Sequence, residues 1–384
     1  METRKLYYED CHLAEFSARV RACRELPEGY AVELDATAFY PEGGGQACDV
    51  GTLEGVQVLS VREEDSHILH ICNAPLTPGQ TVTGKIDYAR RFDLMQQHTG
   101  EHILSGLVHS LLGYHNMGFH VGAECMEVDF DGVITPEDLV RLEQAANQAV
   151  WANLPVECFV PSQAELPNVF YRTKRELPWP VRIVRIPGVD SCACCGVHAA
   201  FTGEVGLIKI LSCVKLRQGV RLELACGQRA LRYVNQTWEQ NRAISQMLSA
   251  KMPETASAVK RLEEQLAEEK MRSAQLQRQL FDAIAQTYVG KGNAVCVQSG
   301  LSGGEIRQLA EKIAASCGGA AVVLAEAGDK LNLCVACPGG DASVIGKRLC
   351  DRFSGKGGGR DGFFQGTLCG NVEEIKTYAI SLLS

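Results

Sequence analysis

Two pairs of residues constrain this chain more than any other feature: His98 with His102, and Cys194 with His198. Residues four apart on a helix differ by about 40° around its axis, so both imidazoles of QQHTGEHILSG (96–106) face one way. CACCGVH (192–198) then supplies a C-x-x-x-H. A thiolate with three imidazoles is a good ligand set for Zn2+. If both pairs serve one ion, the fold must join two segments that are far apart in sequence. Cys192 and Cys195 are alternates to Cys194 that spacing does not exclude.

The first pair also reads as H-x-x-E-H through Glu101, the pattern of the inverzincin metalloproteases. That reading needs a further carboxylate ligand, and no downstream Glu stands in a motif. It also leaves the C-x-x-x-H without a role. Glu101 is then either a general base or a solvent-facing helix residue.

At 384 residues the chain has room for two to four domains, each with its own core. The opening METRKLYYEDC turns polar at once, and the longest apolar runs, such as AAVVLAEA (320–327), are too short to span a bilayer. The expectation is a cytoplasmic protein with no membrane partner. Net charge is −8, and residues 1–65 hold the whole excess, with 14 acidic and 6 basic side chains. The rest balances and contains basic clusters at 170–185 and 347–360, so net charge does not exclude a nucleic-acid partner. The 17 cysteines are scattered, as small reduced hydrophobes are; CVAC (334–337) is expected to be a buried strand.

Periodicity divides the chain into a multi-domain α+β protein. Residues 1–90 alternate short apolar runs with turn signals, predicting a small β-barrel or sandwich. From 91 the spacing becomes helical, with Gly113 as a stop, and Thr135–Pro136 opens a second helix over 136–153. Strands near 156–160 and 181–186 lead into the cysteine cluster, giving an α+β domain over 91–226. Residues 227–290 are polar and glycine-poor, with a seam of Val259, Leu262, Leu266, Leu276, Leu280 and Ala283. They read as a hairpin of two helices, an arm broken at Pro253. Residues 291–384 alternate strands with helices at 303–316 and 341–353, a small α/β domain.

One more motif bears on chemistry. In TAFYPEGGGQ (37–46), Pro41 and Gly43, Gly44 and Gly45 specify a tight loop whose N–H groups can approach a ligand. Thr37, Tyr40 and Gln46 add polar side chains suited to a polar substrate.

HTGEH and CCGVH, preceded by TAFYPEGGGQ, closely resemble the alanyl-tRNA editing proteins (AlaX-like, long form), freestanding relatives of the alanyl-tRNA synthetase editing domain. FTGEVGLIKILS…GVRLELACG resembles them too, and GKGGGRDGFFQG is similar to the glycine-rich motif of the DHHA1 domain. The resemblance covers nearly the whole chain, in matching order. It implies that 1–90 is a β-barrel domain bearing the glycine-rich loop, 91–226 a zinc-binding editing domain, and 291–384 a DHHA1-like tRNA-binding domain. It implies Zn2+ on His98, His102, Cys194 and His198, and hydrolysis of the ester of seryl- and glycyl-tRNA(Ala). Thr37 stands where the family contacts the substrate hydroxyl, and Tyr40, Gly43, Gly44, Gly45 and Gln46 would line the pocket. Lys356, Gly357, Gly358, Gly359 and Arg360 would meet tRNA phosphates, and the C-terminal region would serve a homodimer.

The chain departs from the family at C-C-G-V-H, where C-G-G-T-H is usual, and at Asp-Gly-Phe-Phe in the C-terminal motif. No aminoacylation domain is recognisable, which implies action in trans. Two other readings stand beside this one: a non-catalytic, zinc-stabilised tRNA-binding protein, and editing of threonine tRNA. A phosphoesterase, which also ends in DHHA1, would need a DHH triplet, and none occurs.

Overall fold

The computed structural model describes residues 2–173, 177–360 and 362–384. Its first element of note is a six-stranded antiparallel barrel. Strands Glu15–Leu26, Gly29–Leu34, His67–Cys72, Val56–Glu64, Gly51–Leu53 and Thr81–Ile86 pair in that order, and the last closes on the first. Alternation explains the closure. Phe16, Ala18 and Val20 point inward while Glu15, Ser17 and Arg19 face water. Val32, Leu34, Leu53, Val61 and Ile68 complete the same core.

The segment that follows strand Gly29–Leu34, residues 37–49, folds back over the barrel, with Phe39 and Tyr40 buried in its core. A fully buried ion pair pins it there. Arg91, in the first turns of helix α1 (Tyr88–Leu112), donates from Nε to both carboxylate oxygens of Asp49 at 2.9 and 3.0 Å, and from Nη2 to Ala38 O at 2.6 Å. Such a pair survives burial only when its remaining donors are met, as they are here. The glycine-rich loop and the helix carrying both histidines are thereby held to one another.

Helix α1 starts at Asp87, whose side chain accepts from Arg90 N–H, and ends at Gly113 with φ 74°. Helix α2 (Pro136–Trp151) begins at the Thr135 cap. Both pack on a four-stranded antiparallel sheet, order Ile208–Leu216, Gly219–Cys226, Met126–Phe130, Asn116–Val121, around Ile103, Val128, Leu142 and Leu222. The hairpin at 116–130 was not expected from periodicity. A further sheet of Glu157–Phe159, Ile183–Ile186 and Asp190–Ala193 leads directly into Cys194.

Helices α3 (Gly227–Met247) and α4 (Thr255–Gln286) follow, separated by a short turn at Met252–Glu254. By contacts the chain divides into Met1–Ala243 and Ile244–Ser384, so the division falls inside α3. The expected apolar seam of α4 is not its buried face: Val259, Leu262, Leu266, Leu276 and Leu280 are exposed. Its end is buried through Phe281 and Ala285, because these join the core of the following domain.

That domain is a five-stranded sheet, order Gly292–Ser299, Gly318–Ala327, Lys330–Ala336, Phe363–Leu368, Lys356–Arg360, parallel only between the first two. Helix α5 (Gly303–Cys317), opened by a Ser302–Glu305 capping box, covers the face of Val323 and Cys334. Helices α6 (Ala342–Arg352) and α7 (Val372–Leu383) cover the face of Val322, Leu324 and Val335. The cysteines of CVAC thus belong to a sheet strand and its end. Among the described residues no helix is long and apolar enough to cross a membrane.

Candidate metal centre

His98 and His102 lie mid-way along α1 and are fully buried; the loop after Ala193 carries Cys194 and His198 up to them. The ligand atoms of all four lie within 4.8 Å of one another. Cys194 Sγ is 3.4 Å from His98 Nε2 and 3.4 Å from His198 Nε2. Tetrahedral zinc with bonds of about 2.0–2.3 Å would set its nitrogen and sulfur ligands roughly 3.5 Å apart, so the spacing fits the ion.

The other ring nitrogens explain why Nε2 faces inward. His98 Nδ1–H donates to Gln46 Oε1 at 2.9 Å, and His102 Nδ1–H donates to Asp190 Oδ2 at 3.0 Å. His198 Nδ1 lies 3.4 Å from Thr99 Oγ1. Such partners fix tautomer and ring orientation at metal sites. Asp190 is itself gripped by Arg172, Nε to Oδ1 at 2.7 Å and Nη2 to Oδ2 at 3.0 Å. Burial opposes the charge on His102, yet the Asp190 hydrogen bond holds its pKa well above the ordinary value. Burial likewise favours a neutral Cys194 thiol, but the His98 and His198 imidazoles hold it well below the usual cysteine range. His198, buried and facing His98, is pushed down to about 3.

Of the three neighbouring sulfurs, Cys194 stands among the imidazoles. Cys195 is exposed, and Cys192 lies with His102 and Asp190 on the far side. The loop is clamped from outside: Arg182 donates to Cys194 O and Gly196 O, both at 2.9 Å, and Tyr8 O–H donates to Cys195 O at 2.7 Å. A Cβ on Gly196 would stand 2.2 Å from the His98 ring, so this glycine is required for closure. Val197, where the family has threonine, is buried in the barrel core.

The glycine-rich loop lies against this group. Gly43 N–H donates to Gln46 O, and Gln46 N–H to Gly43 O, making a tight turn with Gly44 and Gly45 at φ 58° and 81°. A Cβ on Gly45 would strike the Phe119 ring at 2.5 Å, and Phe119 lies 5.2 Å from the His98 ring. Gln46 Oε1 also accepts from Val197 N–H, binding the loop to the second half of the ligand set. Tyr40 O–H donates to Gly43 O at 3.0 Å. Thr37 is different. It is fully buried and its hydroxyl pairs with His70 Nε2 at 2.8 Å inside the barrel, without a direct bond to the metal group.

Asp190, Arg172 and Arg182 were not singled out by sequence, nor were Thr99, Tyr8 and Phe119. Asp190 stands four residues before Cys194, outside any recognised spacing, and the two arginines read only as part of a basic cluster. That cluster, 170–185, is no open basic surface where it is described, because Arg172 and Arg182 bind inside the centre; residues 174–176 lie outside the described residues. Glu101 is buried, at 4% exposure, and so is not solvent-facing. Far from these residues in sequence, Lys356–Arg360 forms the edge strand of the C-terminal sheet, with all five residues exposed. Gly357 and Gly359 are demanded by that sheet, since a Cβ on either would strike the carbonyl of Gln365 or Phe363, whereas Gly358 is open.

Comparison with known proteins agrees with this layout. Residues 181–222, which carry Cys194 and His198, match the threonyl and alanyl tRNA synthetase second additional domain family. Residues 3–90, the barrel region, match the class II (A) tRNA synthetases, and residues 288–384 match the DHHA1 domain. The alanyl-tRNA editing protein Aarsd1-B of Xenopus laevis is 30% identical, over 93% of this chain and 89% of its own length. The alanyl-tRNA editing protein Aarsd1 of Danio rerio is 28% identical, over 97% and 95%. An alanine–tRNA ligase of Methanoregula boonei is 34% identical over 95% of this chain, which spans 41% of the ligase. A 30% identity that extends across both chains, with all three domain families in order, places this chain in the family of alanyl-tRNA editing proteins.

Proposed function

We propose that this protein is an aminoacyl-tRNA deacylase acting in trans on mischarged tRNA(Ala), hydrolysing the ester of seryl- and glycyl-tRNA(Ala). The observation that carries this reading is the position of the GGGQ turn. It lies directly against the His98–His102–Cys194–His198 group and is tied to both halves of it by Gln46.

Those four residues would hold Zn2+. When bound, the ion would place positive charge beside the pocket and so help offset the negative charge that develops on the ester oxygen. With four protein ligands the site is closed, as structural zinc sites usually are, so the ion's main task is to organise the pocket. The chain's own groups then position the ester. The Gly43 amide is committed to the turn, but the N–H groups of Gly44 and Gly45 make no hydrogen bond among the described residues and are donors for a developing oxyanion. Thr37 reads the amino-acid hydroxyl. Discrimination of serine from alanine by hydrogen bonding reaches roughly 10⁴–10⁵, far beyond what shape alone gives. The exposed Lys356 and Arg360, with the backbone of Gly357–Gly359 between them, hold tRNA phosphate.

The test is deacylation of seryl-, glycyl- and alanyl-tRNA(Ala) by purified protein, with and without a zinc chelator. Seryl and glycyl esters should be cleaved, alanyl ester spared, and chelation should abolish the reaction. Zinc and tRNA binding without any cleavage would favour a non-catalytic tRNA-binding protein. Because the domain family matched at 181–222 is shared with threonyl-tRNA synthetases, seryl-tRNA(Thr) belongs in the same assay. Preference for it would reassign the substrate.

A further inference from the structure

Glu101 is a buried carboxylate that the reading above does not use. It lies between the two histidines of α1, and its Oε1 is held twice, by Ser105 O–H at 2.5 Å and by Asn116 Nδ2–H at 2.5 Å. Asn116 Nδ2 also reaches Ser105 Oγ at 3.1 Å, so the three side chains lock one another. The second oxygen, Oε2, makes no hydrogen bond among the described residues. It lies 3.9 Å from His102 Nε2, the ring nitrogen that faces Cys194 and the other imidazoles.

Two polar atoms around this centre are buried without a protein partner: Gln46 Nε2 and Asn116 Oδ1. Each belongs to a side chain whose other end is fixed, Gln46 by His98 and Asn116 by Glu101. A buried polar atom left unpaired costs about 1–3 kcal/mol, so such atoms are retained where a polar occupant meets them. Glu101 Oε2 adds an acceptor with a fixed direction to this set. A carboxylate serving only as a helix-to-strand tie would not need to present its free oxygen to the metal-facing nitrogen.

We propose that Glu101 is a catalytic residue that holds and orients the attacking water, accepting a hydrogen bond from it through Oε2. This rests on the deacylase reading. In the step it serves, the water oxygen bonds to the ester carbonyl carbon and the bond from that carbon to the ribose oxygen breaks. One water proton ends on the ribose oxygen, and the O–H left behind completes the carboxyl group of the freed amino acid.

Glu101→Gln tests this with little change of shape. Ser105 and Asn116 both donate at the Oε1 position, so they select the amide oxygen there and leave the amide N–H2 at the Oε2 position. The variant keeps the packing and the tie to Asn116 but presents a donor where the water needs an acceptor. In the full-length zinc-loaded protein, kcat for seryl-tRNA(Ala) should fall by about 100-fold or more, the range for a positioned acid–base group. KM, zinc per chain and affinity for a non-hydrolysable 3′-amide analogue of seryl-tRNA should stay within about twofold. Glu101→Asp, which keeps an acceptor but withdraws it, should fall between. An active wild type with an unimpaired Glu101→Gln overturns the proposal alone. Loss of zinc together with activity in that variant also overturns it, making Glu101 part of the metal site. A wild type that cleaves none of the aminoacyl-tRNAs overturns the deacylase reading, and this one with it.

Discussion

At the scale of single residues, Thr37 and Asp190 make opposite demands. The Thr37 hydroxyl donates to His70 Nε2, since His70 Nδ1–H is already given to Val32 O, and Thr37 Oγ1 accepts from Phe39 N–H at 3.1 Å. Its proton is therefore committed, and what it offers a substrate hydroxyl is a lone pair. Thr37→Val should lower the ratio of seryl to alanyl deacylation. It should also cost about 1–3 kcal/mol of stability, because His70 Nε2 loses its buried partner. Steady-state rates and urea unfolding measure the two separately; an unchanged ratio in a destabilised variant would leave Thr37 with the barrel alone. Asp190→Asn addresses the metal instead. It keeps an amide oxygen for His102 Nδ1–H but removes the negative charge that aims His102 and grips Arg172, and should weaken zinc about 10–100-fold in chelator competition, leaving the four ligands in place.

At the scale of elements, α1 is the axis of the centre. Its end was legible at Gly113, whereas it starts at Tyr88 behind the Asp87 cap, three residues before the spacing turns helical; the four-residue spacing of His98 and His102 puts both on one buried face. What surrounds that face was not legible, because Asp49, Asp190, Arg172 and Asn116 come from turns and strands with no period of their own. The seam of α4 shows the converse. Its regular apolar spacing promised a buried stripe, yet burial is decided at its end by Phe281 and Ala285, with Ile284 beside them, which reach the next domain's core. The barrel carries a pH dependence of its own. Burial lowers the His70 pKa to about 4, so the folded barrel binds fewer protons than the unfolded chain, whose histidine titrates near 6.5. The stability this supplies is complete above pH 6.5 and lost as pH falls from there through 4, a change of roughly 3 kcal/mol. Denaturant unfolding at pH 7 and pH 4.5 should show it, and His70→Gln should flatten that part of the difference.

At the scale of the whole molecule, the chain forms two compact units, and charge tells little about what each does. The chain is acidic overall, with the excess confined to residues 1–65, while the edge strand at Lys356–Arg360 exposes two cations and a run of glycines. Reversal of both charges, Lys356→Glu with Arg360→Glu, should raise KM for charged tRNA several-fold and reduce its salt dependence, with kcat unchanged. Equal KM in variant and wild type would remove this strand from tRNA binding. Sequence alone determined the donor types, the helical spacing that aligns one histidine pair and the glycines at 43–45, since spacing and backbone freedom are local properties. Tertiary structure decided which sulfur joins the imidazoles, that Gln46 and Asp190 fix their tautomers, and that Glu101 faces inward. Each of these depends on a partner from a distant segment, and no local period records which distant groups a closed fold will press together.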